Sequence, residues 1–153
     1  MIGSPRKSAV LSGLLALAML GGCEGPASPY EDLYLLAAEA LGPEAHGDRQ
    51  RVVSPVLVAL DNPRLPHGVL RDFRNRGYEI FGGSGEEDPE KATYYLTIPA
   101  PLPNDRYRLR VHVSLGGRMG SMDRGDTWWI VTGSCAPECR VLEVRPAENR
   151  SWY

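Results

Sequence analysis

The clearest pattern in the chain is an alternation over residues 107–115. Tyr107, Leu109, Val111, Val113 and Leu115 take one parity, and Arg108, Arg110, His112 and Ser114 the other. Side chains along a strand point to opposite faces in turn, so this run predicts a strand with one buried and one wet, polar face. Tyr94, Leu96 and Ile98 set up an earlier alternation that ends at Pro99, ahead of a turn through Asn104-Asp105. Residues 127–132 (TWWIVT) and 140–144 predict two more strands, so three antiparallel strands close the domain. The pattern upstream has a different period. In residues 30–41, Leu33, Leu36, Ala37, Ala40 and Leu41 recur at three- and four-residue spacing, which predicts a helix opened by Ser28-Pro29 and stopped by Gly42-Pro43.

Residues 43–50 are polar and predict a loop. The β-branched run 51–60 predicts a strand kinked at Pro55, because proline has no N–H to give to a sheet. A short helix over 66–76 buries Val69, Leu70 and Phe73, with Gly77 in the left-handed position after its end. Residues 78–81 then resume an extended course. Strand, helix and strand with short connections predict one crossover between parallel strands; antiparallel pairing of 78–81 elsewhere is the other arrangement the pattern permits. The sum is an α+β two-layer sandwich, in which two helices cover a mostly antiparallel sheet of about five strands.

The chain has 153 residues, of which 42% are hydrophobic and 24% charged. These values exclude a disordered chain, a collagen and a polytopic membrane protein. Only the N-terminus departs from them. Arg6 and Lys7 precede the apolar run 9–20, which ends at Leu20-Gly21-Gly22-Cys23. That run is too short to span a bilayer, for which about 20 apolar residues are needed. A basic n-region, a short apolar stretch and Leu, two small residues and Cys resemble the signal peptide and lipobox of bacterial lipoproteins. The resemblance covers residues 1–23 alone. It implies cleavage before Cys23, a diacylglyceryl group on its sulfur and acylation of the new amino terminus.

The chain then divides into a signal peptide (1–22), a lipidated Cys23 with a tether (23–29), one α+β domain (30–145) and a C-terminal tail (146–153). Six residues separate Cys23 from Tyr30, and at about 3.3 Å each they reach about 20 Å, so the domain is expected close to the membrane. The partner expected first is therefore the lipid bilayer, held through acylated Cys23. Glu24 follows the cysteine where an aspartate would favour inner-membrane retention, which favours the outer membrane of a bacterial envelope, facing the periplasm.

With Cys23 lipidated, Cys135 and Cys139 remain as an even pair flanking a tight loop between two strands, and a structural disulfide is expected. The alternative is a copper or thiol site, because the CxxxC spacing resembles that of exported thioredoxin-type copper chaperones, with His46, His67 or His112 as a further ligand. The pair lies on a hairpin and not at the strand-to-helix turn of that family, where a helix dipole would lower the thiol pKa. Arg108, Arg110 and His112, joined by Arg118 and Arg124 in the next loop, form a candidate binding face for phosphates or carboxylates. Asp61, at the end of the 51–60 strand, marks a second possible pocket. Trp128 and Trp129 send one ring to each face of their strand.

Cleavage removes Arg6 and Lys7, two of the 17 basic residues, and leaves 15 against 19 acidic ones, a net charge of −4. Nucleic acid is accordingly not an expected partner. No HExxH, nucleophile elbow, phosphate-cradling glycine loop or calcium loop occurs, and no metal or cofactor is expected. The expectation is a non-enzymatic domain that binds an envelope protein or an anionic polymer. Replacing Cys23 with serine should move the protein from the detergent phase to the aqueous phase on phase partitioning. Intact mass of the wild type should show a chain starting at Cys23 and carrying acyl groups.

Overall fold

The computed structural model describes residues 27–82, 87–116 and 127–147. Cys23, Arg118 and Arg124 lie outside the described residues. The described chain forms three helices, α1 (Glu31–Glu39), α2 (Pro43–His46) and α3 (His67–Asn75). Its strands are β1 (Gln50–Val53), β2 (Glu79–Ile80), β3 (Lys91–Leu96), β4 (Ala100–Leu102), β5 (Arg106–Ser114), β6 (Thr127–Cys135) and β7 (Cys139–Pro146). They make one seven-stranded sheet in the order β2-β1-β3-β5-β6-β7, with β4 also paired to β5. The class is α+β as expected, but the sheet is mixed and larger than the five mostly antiparallel strands the pattern predicts.

The extra strands are short, and each has a local cause. β4 continues the line of β3 along β5 after a break at Ile98-Pro99, and so adds a short strand where the pattern predicts only the approach to the Asn104-Asp105 turn. The predicted strand 51–60 stops at Val53. There the Ser54 hydroxyl accepts from the Val56 N–H at 3.2 Å and donates to the Val56 carbonyl at 3.0 Å, turning the chain aside at Pro55. Asp61 consequently lies eight residues past the strand end, on an exposed turn, and not at a strand terminus. β1 pairs in parallel with both β2 and β3, so residues 78–81 complete the expected crossover through α3. The loop expected over 43–50 contains α2, which has Pro43 in its first turn.

α1 starts after a turn in which the Glu31 carboxylate accepts from the Ser28 N–H at 2.9 Å and the Glu31 N–H donates back to the Ser28 carbonyl at 3.1 Å. Its buried residues are Leu33, Tyr34, Ala37 and Ala38. The expected stripe is therefore rotated: Ala40 is exposed, while Tyr34 goes inward and its ring meets Tyr30 edge-on at 6.1 Å. α3 buries Val69, Leu70 and Phe73 as expected, and Gly77 takes φ of 83° after its end. The core lies between these helices and one face of the sheet, and contains Phe73, Tyr94, Leu96, Leu109, Val111, Val113 and Val131. No described helix is long and apolar enough to cross a membrane.

Two glycines show how closely the layers meet. At Gly133 on β6 a Cβ would run into Leu33 Cδ1 of α1 and would lie 2.9 Å from the Arg140 carbonyl oxygen of β7. Gly68 in α3 has nothing within 4 Å of a Cβ. Alanine should therefore act with opposite sign at the two sites. Gly133→Ala overpacks the layer contact and should destabilise by about 1–3 kcal/mol. Gly68→Ala should stabilise by about 0.4–1 kcal/mol by restricting the unfolded chain. Urea titrations of both variants measure the difference.

Candidate functional site

The strand directions sort the loops onto two ends of the sheet. β1, β3 and β6 run towards one end and β5 and β7 leave it. Ser28–Tyr30 lies at this same end. Cys139 Sγ is 3.3 Å from the Pro29 carbonyl oxygen, and the Tyr30 ring sits 5.3 Å from that of Tyr107 at the start of β5. The Cys135 N–H donates to the Asp105 carbonyl at 3.0 Å, which joins the β6–β7 hairpin to the Asn104-Asp105 turn. Both turn residues have positive φ, 62° and 51°, a conformation that asparagine and aspartate tolerate, and with Pro103 they make the three-residue loop between paired Leu102 and Arg106.

Cys135 and Cys139 pair directly across the β6–β7 hairpin with Cα atoms 3.8 Å apart and sulfurs at bonding distance, 2.09 Å. The histidines of the alternative reading lie elsewhere. His46 packs against the Tyr94 ring at 6.4 Å, His67 opens α3, and His112 sits in mid-sheet. Among the described residues no group of three potential metal ligands converges. So small a ring gives a loop-closure stabilisation of about 2 kcal/mol.

The helices cover the face that carries Leu109, Val111 and Val113, so the other parity of β5 forms a helix-free face. That face is not uniformly wet. Arg106 and Arg108 are exposed, Arg110 is half-buried, and His112 and Ser114 are buried. The burial of His112 has a cross-strand cause. His112 is in register with Tyr95 on β3 and with Trp128 on β6. Its ring stacks on Tyr95 at 5.7 Å and 27° and on Trp128 at 4.4 Å and 20°. Directly opposed side chains on one sheet face are close enough for such contact, each pair worth about 0.2–1 kcal/mol. Glu87 accepts hydrogen bonds from the Tyr95 hydroxyl and from the Ser114 hydroxyl, and closes the far side of the stack.

The alternation of β5 identifies His112 and the arginines. Tyr95, Trp128 and Glu87 were missed as its companions, because their proximity depends on register and not on spacing. A weak signal was present: Trp128 and Trp129 had to face opposite ways, and register puts Trp128 beside His112 and Trp129 beside Val111. Arg108 and Arg110 are thus brought together two residues apart on one rigid strand. At the far edge of this face, Lys91 pairs with Glu79 at 2.8 Å and with Asp88 at 3.8 Å, an exposed cluster of small energetic weight.

On the helix side, the Arg51 guanidinium lies 4.2 Å over the Tyr78 ring and donates to its hydroxyl at 3.0 Å. Burial pushes the Tyr78 hydroxyl up to about 12, against the opposing pull of Arg51. Burial likewise raises Tyr34 and Tyr94. These phenols stay neutral in the folded protein at a pH where the unfolded chain has lost their protons. Their contribution is therefore intact below pH about 10 and declines as pH rises towards the folded value. Stability measured by urea titration should fall between pH 10 and about 12, and Tyr78→Phe should flatten part of that fall. Reduction of the disulfide at neutral pH should cost about 2 kcal/mol in the same assay.

No protein-family model, no curated protein and no solved structure matches the chain.

Proposed function

We propose that this protein is a lipid-anchored lipoprotein of the bacterial envelope, and that its α+β domain is a non-enzymatic binding module. Residues 20–23 supply the anchor, and Glu24 favours the outer membrane on its periplasmic side. The occupant of the module is another envelope protein or an anionic envelope polymer.

The observation that carries the reading is the helix-free face of the sheet, where Arg108 and Arg110 project from the central strand β5. A guanidinium offers a planar fork of donors suited to carboxylates and phosphates. Its value for recognition rises when the supporting backbone is rigid, and β5 is held on both sides, by β3 and β4 on one edge and β6 on the other. The stacked Tyr95, His112 and Trp128 stiffen the same face and leave the arginines as its polar margin.

The test is crosslinking and affinity capture of the lipidated protein in its own membranes, beside an Arg108→Ala/Arg110→Ala variant. The expected result is one envelope component recovered with the wild type and lost with the variant, compared at equal protein abundance. Equal recovery from both proteins would remove the arginine face as the binding surface.

A further inference from the structure

Four large apolar side chains are exposed among the described residues: Leu60 at 102%, Leu142 at 45%, Ile98 at 42% and Val58 at 38%. Three of them share one end of the sheet. Val58 forms an isolated bridge with Thr97, next to Ile98, and Leu60 sits on the turn just beyond, closed by the Asn62 N–H to the Ala59 carbonyl at 3.2 Å. The base of this projection is pinned by Leu57 to Pro63 at 2.7 Å and Leu65 to Pro55 at 2.9 Å, so the tip stands out from a fixed stem. A shallow groove lined by Ser28, Tyr30, Leu57, Arg64 and Ile98 joins the stem to the segment where the chain enters the domain.

We infer that this end of the domain is a membrane-docking surface, with Leu60 as its inserting tip and Val58 and Ile98 as its apolar shoulder, resting on the acyl layer to which Cys23 is attached. The inference rests on the lipid-anchor reading above. Only residues 24–27 separate Cys23 from Ser28, which at about 3.3 Å per residue places the groove within about 20 Å of the anchor. A leucine wholly exposed in water on a pinned turn gains by entering lipid, and the anchor makes that contact intramolecular, so a weak interaction suffices. Charge does not drive the docking. Arg64, Arg106 and Arg140 at this end are outnumbered by Glu31, which lines the groove itself, Asp61, Asp105 and Glu138. The contact therefore depends little on salt or on anionic lipid.

Docked in this way, the strands run away from the bilayer and the Arg108/Arg110 face points sideways, open to a neighbour in the envelope. The opposite end, with α2 and the C-terminus of α3, is the distal one. Leu142 lies on the edge strand β7 outside the surface.

The experiment uses the lipidated full chain with a bimane label on a cysteine introduced as Leu60→Cys or, as the distal reference, Asn75→Cys. The proteins are reconstituted into phosphatidylcholine vesicles with and without brominated acyl chains. Loss of emission on brominated lipid at position 60 and none at position 75, unchanged by added salt, is the expected result. Vesicle-bound protein with no loss at position 60, or equal loss at both, overturns the docking surface while leaving the lipid anchor standing. Protein that does not float with the vesicles overturns the anchor and, with it, the docking. A Leu60→Ser variant labelled at Ile98→Cys gives a second reading. Its emission loss should shrink relative to the same label with Leu60 intact, and an unchanged loss removes Leu60 as the tip.

Discussion

The alternation of β5 is the constraint on which the rest of the domain depends. Leu109, Val111 and Val113 are wholly buried beneath the helices, and because side chains alternate, the same strand must present Arg108, Arg110, His112 and Ser114 on the other side. A shift of one residue in register would exchange the two sets and put guanidinium groups in the core. β5 also borders β3, β4 and β6, so its register places nearly every other pairing. Small residues in α1 and Gly133 on β6 then let a helix lie directly on the sheet.

The two faces have different physical characters. The helix side is an apolar core in which buried tyrosines are ordered by edge-to-face contacts, with Tyr78 meeting Phe73 at 5.0 Å and Tyr94 at 5.8 Å. The open side grades from exposed arginines near the chain's entry to a stacked aromatic and hydroxyl cluster farther along. That gradient gives the strand a direction: one end carries exposed charge, and the other is closed by Glu87. The disulfide stands at the charged end, beside Pro29, where it clamps the hairpin on which the entering chain rests.

The same end gathers features far apart in sequence. Ser28 to Tyr30, the turn at Leu60, Ile98, the Asn104-Asp105 turn and Cys135 to Cys139 span more than a hundred residues of chain. They meet because every strand that runs towards this end must turn there. On the proposed lipid anchor at Cys23, a few residues before Ser28, that meeting point is the part of the domain nearest the bilayer.

Sequence alone determined the elements whose cause is local. The period of two in β5, the buried triad Val69, Leu70 and Phe73, the left-handed Gly77, the Asn104-Asp105 turn and the even cysteine pair all follow from the conformational limits of single residues or of near neighbours. The helix face of α1 was only partly legible, because whether Tyr34 or Ala40 turns inward depends on which ring fills the space beside Tyr30. The short strands were illegible for a similar reason. Two residues of β2 count as a strand only because β1 lies beside them in parallel, and β4 is separate from β3 where residues 97–99, with Pro99 among them, oppose only residues 109–110 of β5. Tertiary structure alone decided that His112 is buried, since its cover comes from Tyr95 and Trp128, side chains 17 and 16 positions away along the chain that only strand register makes adjacent.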